Sequence, residues 1–484
     1  MTSSDPTWMS AGEIAEAIRT REISALEIAD HFIARIEKYN PALNAVIFPR
    51  FDEARDAARR ADGTPAGLPA GPLHGVPYLV KDIQQTVAGW PYAFGWKPLL
   101  DRGAIGEETG FVLQRMFDAG VNTLGSTTVP ELGPSGHTIS PAFGVTRNAW
   151  DRDRVAGGST GGGGAAVAAG LVPWSHGADA GGSLRIPAAL NGLVGLKASR
   201  GRSTLGPAHS DVWNHSCEEG VLARTVRDVA LGLDTMRGPA PGDLYVAPEP
   251  LRPYVDEVGA DPGRLRIGVL NESVMGLDLH DEAKAAVDVC GRLLADRGHT
   301  LDERWPSAID DLDMQRHQLL IKAVFVADGV ADAERRFGFT ATGDDFGPWA
   351  RYLWDLGRSI SALDFVAFNG WRNRYTRAIA TWFEETGNDL LLMPALLGPP
   401  PTIEEFEPQP DSDYKIMRDH MAYMATANFT GFPAMTVPVA RTAGGLPMSA
   451  QLLAPYGRED VLFRVAAQLE ESERWFERHP DLDG

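Results

Sequence analysis

Ser159 and Ser183 each stand in a glycine-saturated stretch, V-A-G-G-S-T-G-G-G-G (155–164) and G-A-D-A-G-G-S-L-R-I-P-A (177–188). Upstream, Lys81 closes the apolar run in G-V-P-Y-L-V-K-D-I (75–83). A serine hydroxyl attacks a carbonyl only when a base removes its proton, and the base these strings offer is a lysine rather than a histidine. A lysine forced to shed its proton by burial can do that work through a bridging serine. The residue types therefore point to a hydrolase. Ahead of Ser183, the amides of Ala180, Gly181 and Gly182 could converge on a carbonyl oxygen, since glycine lets a substrate come close. Donors of that kind stabilise a developing oxyanion by about 3 kcal/mol each.

Each string also has an ordinary structural reading. Ser183 fits a tight turn before a helix, the glycine run at Ser159 fits a tether, and Lys81 fits a strand end with its head in water. Against the tether, A-A-V-A-A-G-L-V (165–172) follows at once and wants burial, so a loop packed on its own helix is expected. Against the surface lysine, the chain has only seven lysines among 45 basic residues, so it usually chooses arginine. Strand alternation would send Lys81 and Asp82 to opposite faces, leaving Asp82 badly placed to hold the ammonium charged. The string G-G-S-T-G (157–161) formally matches the nucleophile elbow G-x-S-x-G. That motif needs a buried strand just before it, and N-A-W-D-R-D-R (148–154) is polar, so the match fails.

Composition narrows the classes. The 484 residues are 44% hydrophobic and 23% charged, ordinary for a soluble globular protein with a large core. A net charge of −20 repels phosphate, which excludes nucleic acid and an anionic membrane face as partners. Cys217 and Cys290 are the only cysteines and form no C-x-x-C pair. That excludes a cysteine-built metal cluster, fits a reducing compartment and leaves both thiols without an assigned role. There is no H-E-x-x-H, no basic and apolar leader, and no apolar run of ~20 residues. A cytoplasmic protein without metal or cofactor is expected.

The elements that must hold these residues follow from pattern. S-A-G-E (10–13) and S-A-L-E (24–27) have the capping-box form and predict two antiparallel helices over residues 10–40. Residues 78–80 predict a short strand ending at Lys81, 111–119 a helix, 122–125 a strand and 164–171 a small-residue helix. Strands at 265–270, after 299, at 390–393 and at 435–438, with a helix over 281–297, extend the alternation. This predicts an α/β protein, one large domain of 1–484 with a mixed, mostly buried sheet covered by helices on both sides. Residues 70–235 form the catalytic core. A proline run (399–401) and an acidic run (404–413) punctuate the last third. Residues 305–375 interleave Phe346, Trp349, Tyr352, Trp354 and Trp371 with charges and predict a helical cap that contacts substrate.

Taken together, the strings resemble the amidase signature family. The stretch from Arg154 to Arg202 looks like its glycine/serine-rich signature, and P-L-H-G-V-P-Y-L-V-K-D looks like its lysine segment. F-G-V-T-R-N-A-W-D, L-A-R-T-V-R-D-V-A and N-F-T-G-F-P-A also match, over about residues 10–471. The opening A-L-N-A-V-I and the closing Y-G-R-E-D-V-L-F-R-V-A-A-Q-L-E look most like the branch that opens 6-aminohexanoate cyclic dimers. The resemblance implies that Ser183 is the acylated nucleophile, Ser159 a bridging serine after a cis peptide bond, and Lys81 the terminal base. It makes the amides of Ala180, Gly181 and Gly182 the oxyanion hole, with Asp179 and Arg185 bracing that loop. Thr160 stands where a second serine is frequent and keeps a hydroxyl. G-S-T-T-V-P-E-L (125–132) departs from the frequent G-K-T-N-x-x-E-F, and Ser126 and Thr128 are too short to repeat those contacts. The resemblance implies cleavage of small-molecule amides, with carbamates and esters as further substrates, by a monomer or homodimer. A carboxylesterase and a subunit of a glutamine amidotransferase complex are the alternative readings.

Overall fold

The computed structural model describes residues 5–64, 71–406 and 414–483, so residues 407–413 of the acidic run lie outside it. Helices Ala11–Arg19 and Ala25–Leu43 begin at complete capping boxes built on Ser10 with Glu13 and Ser24 with Glu27. Both bury isoleucines in the main core. The first docks on helix Val226–Met236, whose buried Asp228 carboxylate accepts the amides of Ala11 and Gly12 at 2.8 and 3.1 Å. The second docks on helix Phe51–Asp62.

The strands are β1 (Val46–Ile47), β2 (Pro77–Lys81), β3 (Asn122–Thr127), β4 (Ile139–Ser140), β5 (Gly144–Val145), β6 (Trp174–Asp179), β7 (Val194–Lys197), β8 (Glu218–Ala223), β9 (Arg266–Val269), β10 (Thr300–Asp302), β11 (Leu390–Pro394), β12 (Ala434–Arg441) and β13 (Pro447–Leu453). Eight of them form one sheet in the order β10-β9-β11-β13-β12-β7-β8-β6. It is parallel across β10-β9-β11 and antiparallel elsewhere, the mixed sheet expected. Helices pack against it, among them Gly161–Ala168, Arg185–Asn191, Asp281–Asp296 and Glu459–Glu473.

A small sheet, β1-β3-β2, abuts the β6 edge. No ladder joins the two. Instead the Lys81 amide donates to His176 Nδ1 at 3.3 Å, and Ser175 Oγ donates to the Leu79 carbonyl at 3.4 Å. This seam brings the end of β2 to the end of β6. The β6 sequence W-S-H-G-A-D is buried throughout while mixing polar and apolar residues, so neither sequence period reveals it.

The glycine run is no tether. Its second half is the first turn of helix Gly161–Ala168, buried along its length and begun three residues earlier than its alanines suggest. A β-carbon at Gly162 would fall 2.5 Å from the Ala45 carbonyl, and one at Gly158 2.5 Å from the Ser135 carbonyl. Close packing from both sides requires the glycines. As Gly157–Gly161 is preceded by single bridges and no strand, it is no nucleophile elbow. Residues 305–375 contain helices Met314–Phe337, Pro348–Ser359 and the start of Ala362–Thr386.

Candidate active site

Lys81 is 1% exposed, and its Nζ donates to Ser159 Oγ at 2.9 Å and to the Ala178 carbonyl at 3.0 Å. No carboxylate pairs with it among the described residues. Asp82 turns to the other face, where it accepts the Ala93 amide at 3.1 Å. Burial pushes the Lys81 ammonium down from 10.5 to about 8, against the weaker pull of Cys217, Glu219 and Asp179. The amine therefore sits within reach of the pH range where it is neutral and can accept a proton from Ser159. Ser159 is 4% exposed and follows a cis peptide bond from Gly158.

Ser183 is half-buried in the loop between β6 and helix Arg185–Asn191. The two serine segments meet through the backbone, where the Thr160 amide donates to the Ser183 carbonyl at 3.3 Å. Among the described residues Ser183 Oγ makes no hydrogen bond, to Ser159 or to any other group. Hydroxyl contacts of this kind commonly tighten only when substrate is bound. Thr160 contributes through its amide: among the described residues its hydroxyl has no partner, and its side chain packs against Gly163 and Gly177.

A buried ion pair holds the loop. Arg185 and Asp179, both fully buried, form a two-pronged ion pair at 2.8 and 3.0 Å. Arg185 also donates to the Met424 carbonyl, Gln451 Oε1 and Asn428 Oδ1, while Asn428 Nδ2 donates to Asp179 Oδ1 at 2.9 Å. Burial alone would raise the Asp179 carboxyl; the Arg185 charge and these hydrogen bonds outweigh it and hold the group well below the usual carboxylate range. One expected oxyanion donor is corrected here. The Gly182 amide is committed to Asp179 Oδ1 at 2.7 Å, because the carboxylate caps the turn. The amides of Ala180, Gly181 and Ser183 have no protein acceptor among the described residues.

Beside this loop lies a cleft of about 580 Å³. A β-carbon at Gly181 would meet the ring of Trp213, and Trp213 stacks on Phe325 of helix Met314–Phe337 at 6.1 Å. Both rings line the cleft with Tyr92, Phe94 and Leu132, and Ile83 and Gln84 approach from the end of β2. The profile of the family described as Amidase matches residues 27–463. The chain belongs to the amidase family. This amidase is 36% identical over 489 residues to the 6-aminohexanoate-cyclic-dimer hydrolases of Pseudomonas sp. (strain NK87) and Paenarthrobacter ureafaciens, covering 98% of its own length and 97% of theirs. A solved structure of 6-aminohexanoate cyclic dimer hydrolase complexed with substrate is 35% identical, with a TM-score of 0.93 over 99% of this chain and 100% of that one. A bacterial aryl acylamidase of the amidase signature enzymes is 26% identical, with a TM-score of 0.86 over 98% and 99% of the two chains. The chain is thus an enzyme that acts on the C–N bonds of amides.

Several residues of the amidase site were not read from its sequence. Asn428 clamps the Asp179–Arg185 pair, and its only signal was the matching string N-F-T-G-F-P-A. His176 and Glu219, both fully buried, share a 2.8 Å hydrogen bond beneath Lys81. Since His176 Nδ1 accepts the Lys81 amide, its Nε2 carries the proton donated to Glu219. Cys217 sits close enough to Lys81 to feel its charge, whereas Cys290 is in the core of helix Asp281–Asp296. Burial raises both thiols. The aromatic residues singled out near the cap lie elsewhere than expected. Trp371 stacks on His317 and donates to Asp311, and Phe346 stacks between Trp96 and Trp354. From residues 305–375 the cleft is lined by Phe325 and the following turns of helix Met314–Phe337. Ser126 and Thr128 serve the fold instead: Ser126 pairs with Ile47, and Thr128 Oγ1 contacts Thr146 Oγ1 at 2.6 Å.

Proposed function

We propose that this amidase works through an acyl-enzyme on Ser183. Neutral Lys81 draws a proton through Ser159, Ser183 attacks the amide carbonyl, and the same relay protonates the departing amine. Water then releases the acid by the reverse route. The amides of Ala180, Gly181 and Ser183 receive the oxyanion, and Asp179 with Arg185 holds their turn in place. The observation that carries this reading is the 2.9 Å contact between a buried, carboxylate-free Lys81 and Ser159.

The cleft supports amides with an apolar body, such as ω-amino-acid oligoamides of the kind named for the relatives, and anilides. Its ring-lined wall is supplied by Trp213, Phe325, Tyr92 and Phe94, with helix Met314–Phe337 acting as the cap. Esters and carbamates follow from the same chemistry: an ester loses its alcohol to give the same acyl-enzyme, and a carbamate ester loses its alcohol to give a carbamoyl-enzyme. The test is Ser183→Ala: it should abolish amide turnover and labelling by a fluorophosphonate. Full activity with labelling elsewhere would refute the assignment. A panel of matched aryl, alkyl and short polar amides tests the cleft, and preference for the polar members would sink the substrate reading.

A further inference from the structure

A second cavity, of about 410 Å³, shares no lining residue with the cleft. Its wall is mostly apolar, with Ile139, Val145, Pro348 and Phe406 among its members. Five polar side chains interrupt it: Ser135 and Ser140, whose hydroxyl oxygens accept the amides of His137 and Phe143 at 3.1 Å, and Glu131, His137 and Trp349, which are 7%, 2% and 6% exposed. The last three are under-partnered. Glu131 Oε2 accepts the Gly347 amide at 3.0 Å, but Glu131 Oε1, both ring nitrogens of His137 and Trp349 Nε1 have no protein partner. An unpaired buried polar group costs about 1–3 kcal/mol, so four such atoms around one cavity need a reason.

The same wall belongs to the segment that packs on the bridging serine. Thr138 Oγ1 donates to the Gly157 carbonyl at 2.8 Å, and Gly158 abuts the Ser135 carbonyl and the His137 amide. Leu132, two residues before Pro134, faces the cleft, while Pro130 and Glu131 face the second cavity. One stretch of chain thus separates two binding volumes.

The donor set fixes the ligand chemistry. Trp349 Nε1–H is a donor, a neutral His137 is one donor and one acceptor, and Glu131 Oε1 completes the set. Among the described residues no lysine or arginine lines the cavity, so an anion finds no counter-charge there. Burial also raises the Glu131 carboxyl from 4.5 to about 8, so near neutral pH it offers little fixed charge to a cation. We propose that this cavity is a second, non-catalytic binding site for an uncharged amide, whose carbonyl and N–H pair with Trp349, His137 and Glu131 while its carbon skeleton lies on the apolar wall. Hydrolysis turns an amide into a carboxylate and an ammonium, so the site takes intact substrate and refuses its products. The inference is independent of which serine is acylated.

The experiment uses the full-length Ser183→Ala enzyme labelled with fluorotryptophan. The Trp349 fluorine resonance, one of twelve, is identified by its loss in Trp349→Phe. Titration with ε-caprolactam should move that resonance saturably, and the ring-opened amino acid should leave it in place. His137→Leu, which removes two unpaired nitrogens and should fold at least as well, should weaken lactam binding about tenfold. A Trp349 signal unmoved by the lactam would overturn the proposal. So would equal binding of the amino acid, or unchanged affinity in His137→Leu. Failure of the Ser183 assignment would show instead as fluorophosphonate labelling elsewhere and would leave this titration unaltered.

Discussion

Two charged groups meet at the end of β6 and are treated in opposite ways. Arg185 is fully buried but completely served: a carboxylate takes two of its N–H groups, and Met424, Gln451 and Asn428 take others. Lys81 is equally buried but is given only a hydroxyl and a carbonyl. Burial of charge is tolerable when the partner is an opposite charge, and otherwise the group sheds its proton. The first arrangement makes a rigid brace; the second, on the reading proposed above, makes a base. A few residues apart, the same low-dielectric interior builds a structural ion pair and a reactive amine, and the difference is the presence of one carboxylate.

The contrast can be broken most severely from the reactive side. Lys81→Met removes the base while filling the same space, and kcat should fall by at least about 10³-fold, within the range general-base catalysis supplies. A variant retaining a tenth of parental kcat would show that the amine is not the base. The brace predicts a different failure. Arg185→Met leaves Asp179 buried with its charge uncompensated, and unfolding free energy should drop by about 3–5 kcal/mol in a urea titration. A loss below about 1 kcal/mol would mean that Asn428 and the loop amides suffice to hold the carboxylate.

How much of this was readable follows from the same physics. Lys81, Ser159 and Ser183 were legible because glycine runs and a lone lysine in an apolar strand are unusual locally, whatever surrounds them. The helix caps at Ser10 and Ser24 were legible because they are made within four residues. What escaped depends on pairing across the fold. His176 and Glu219 lie on neighbouring strands and matter only because the small sheet docks at β6. The commitment of the Gly182 amide to Asp179 is a matter of turn geometry that residue types do not reveal. Counting aromatic residues singled out 305–375, yet the ring from that stretch that lines the cleft is Phe325, while Trp371 and Phe346 pack elsewhere.

The third prediction sharpens the comparison through stability. Between pH 8 and 10.5 unfolded Lys81 binds a proton that the folded chain does not, so this group makes stability rise with pH across that window. Below about pH 8 its full penalty is present, on the order of 3 kcal/mol from the gap between 10.5 and about 8. Lys81→Met should therefore stabilise the enzyme at pH 7 by about 1–2 kcal/mol, after the lost hydrogen bonds to Ser159 and Ala178 are set against the gain. The advantage should vanish by pH 10.5. Denaturant melts of both proteins across that range check it, and a destabilised variant at pH 7 would imply that burial costs Lys81 little and leaves it titrating nearer its ordinary value.

The smallest effect is the most discriminating. If neutral Lys81 is the base, its reactive fraction is roughly one tenth at pH 7 and nine tenths at pH 9, so kcat/KM should climb about tenfold and level off above pH 9. A histidine base of ordinary acidity, near 6.5, would already be level by pH 7.5. His176 lies beside Lys81, but its Nδ1 is occupied by the Lys81 amide and its Nε2 by Glu219. A rate profile that is flat from pH 7 upward would therefore contradict the lysine reading. A rise centred near pH 8 that disappears in Lys81→Met would tie the proton being lost to this one amine.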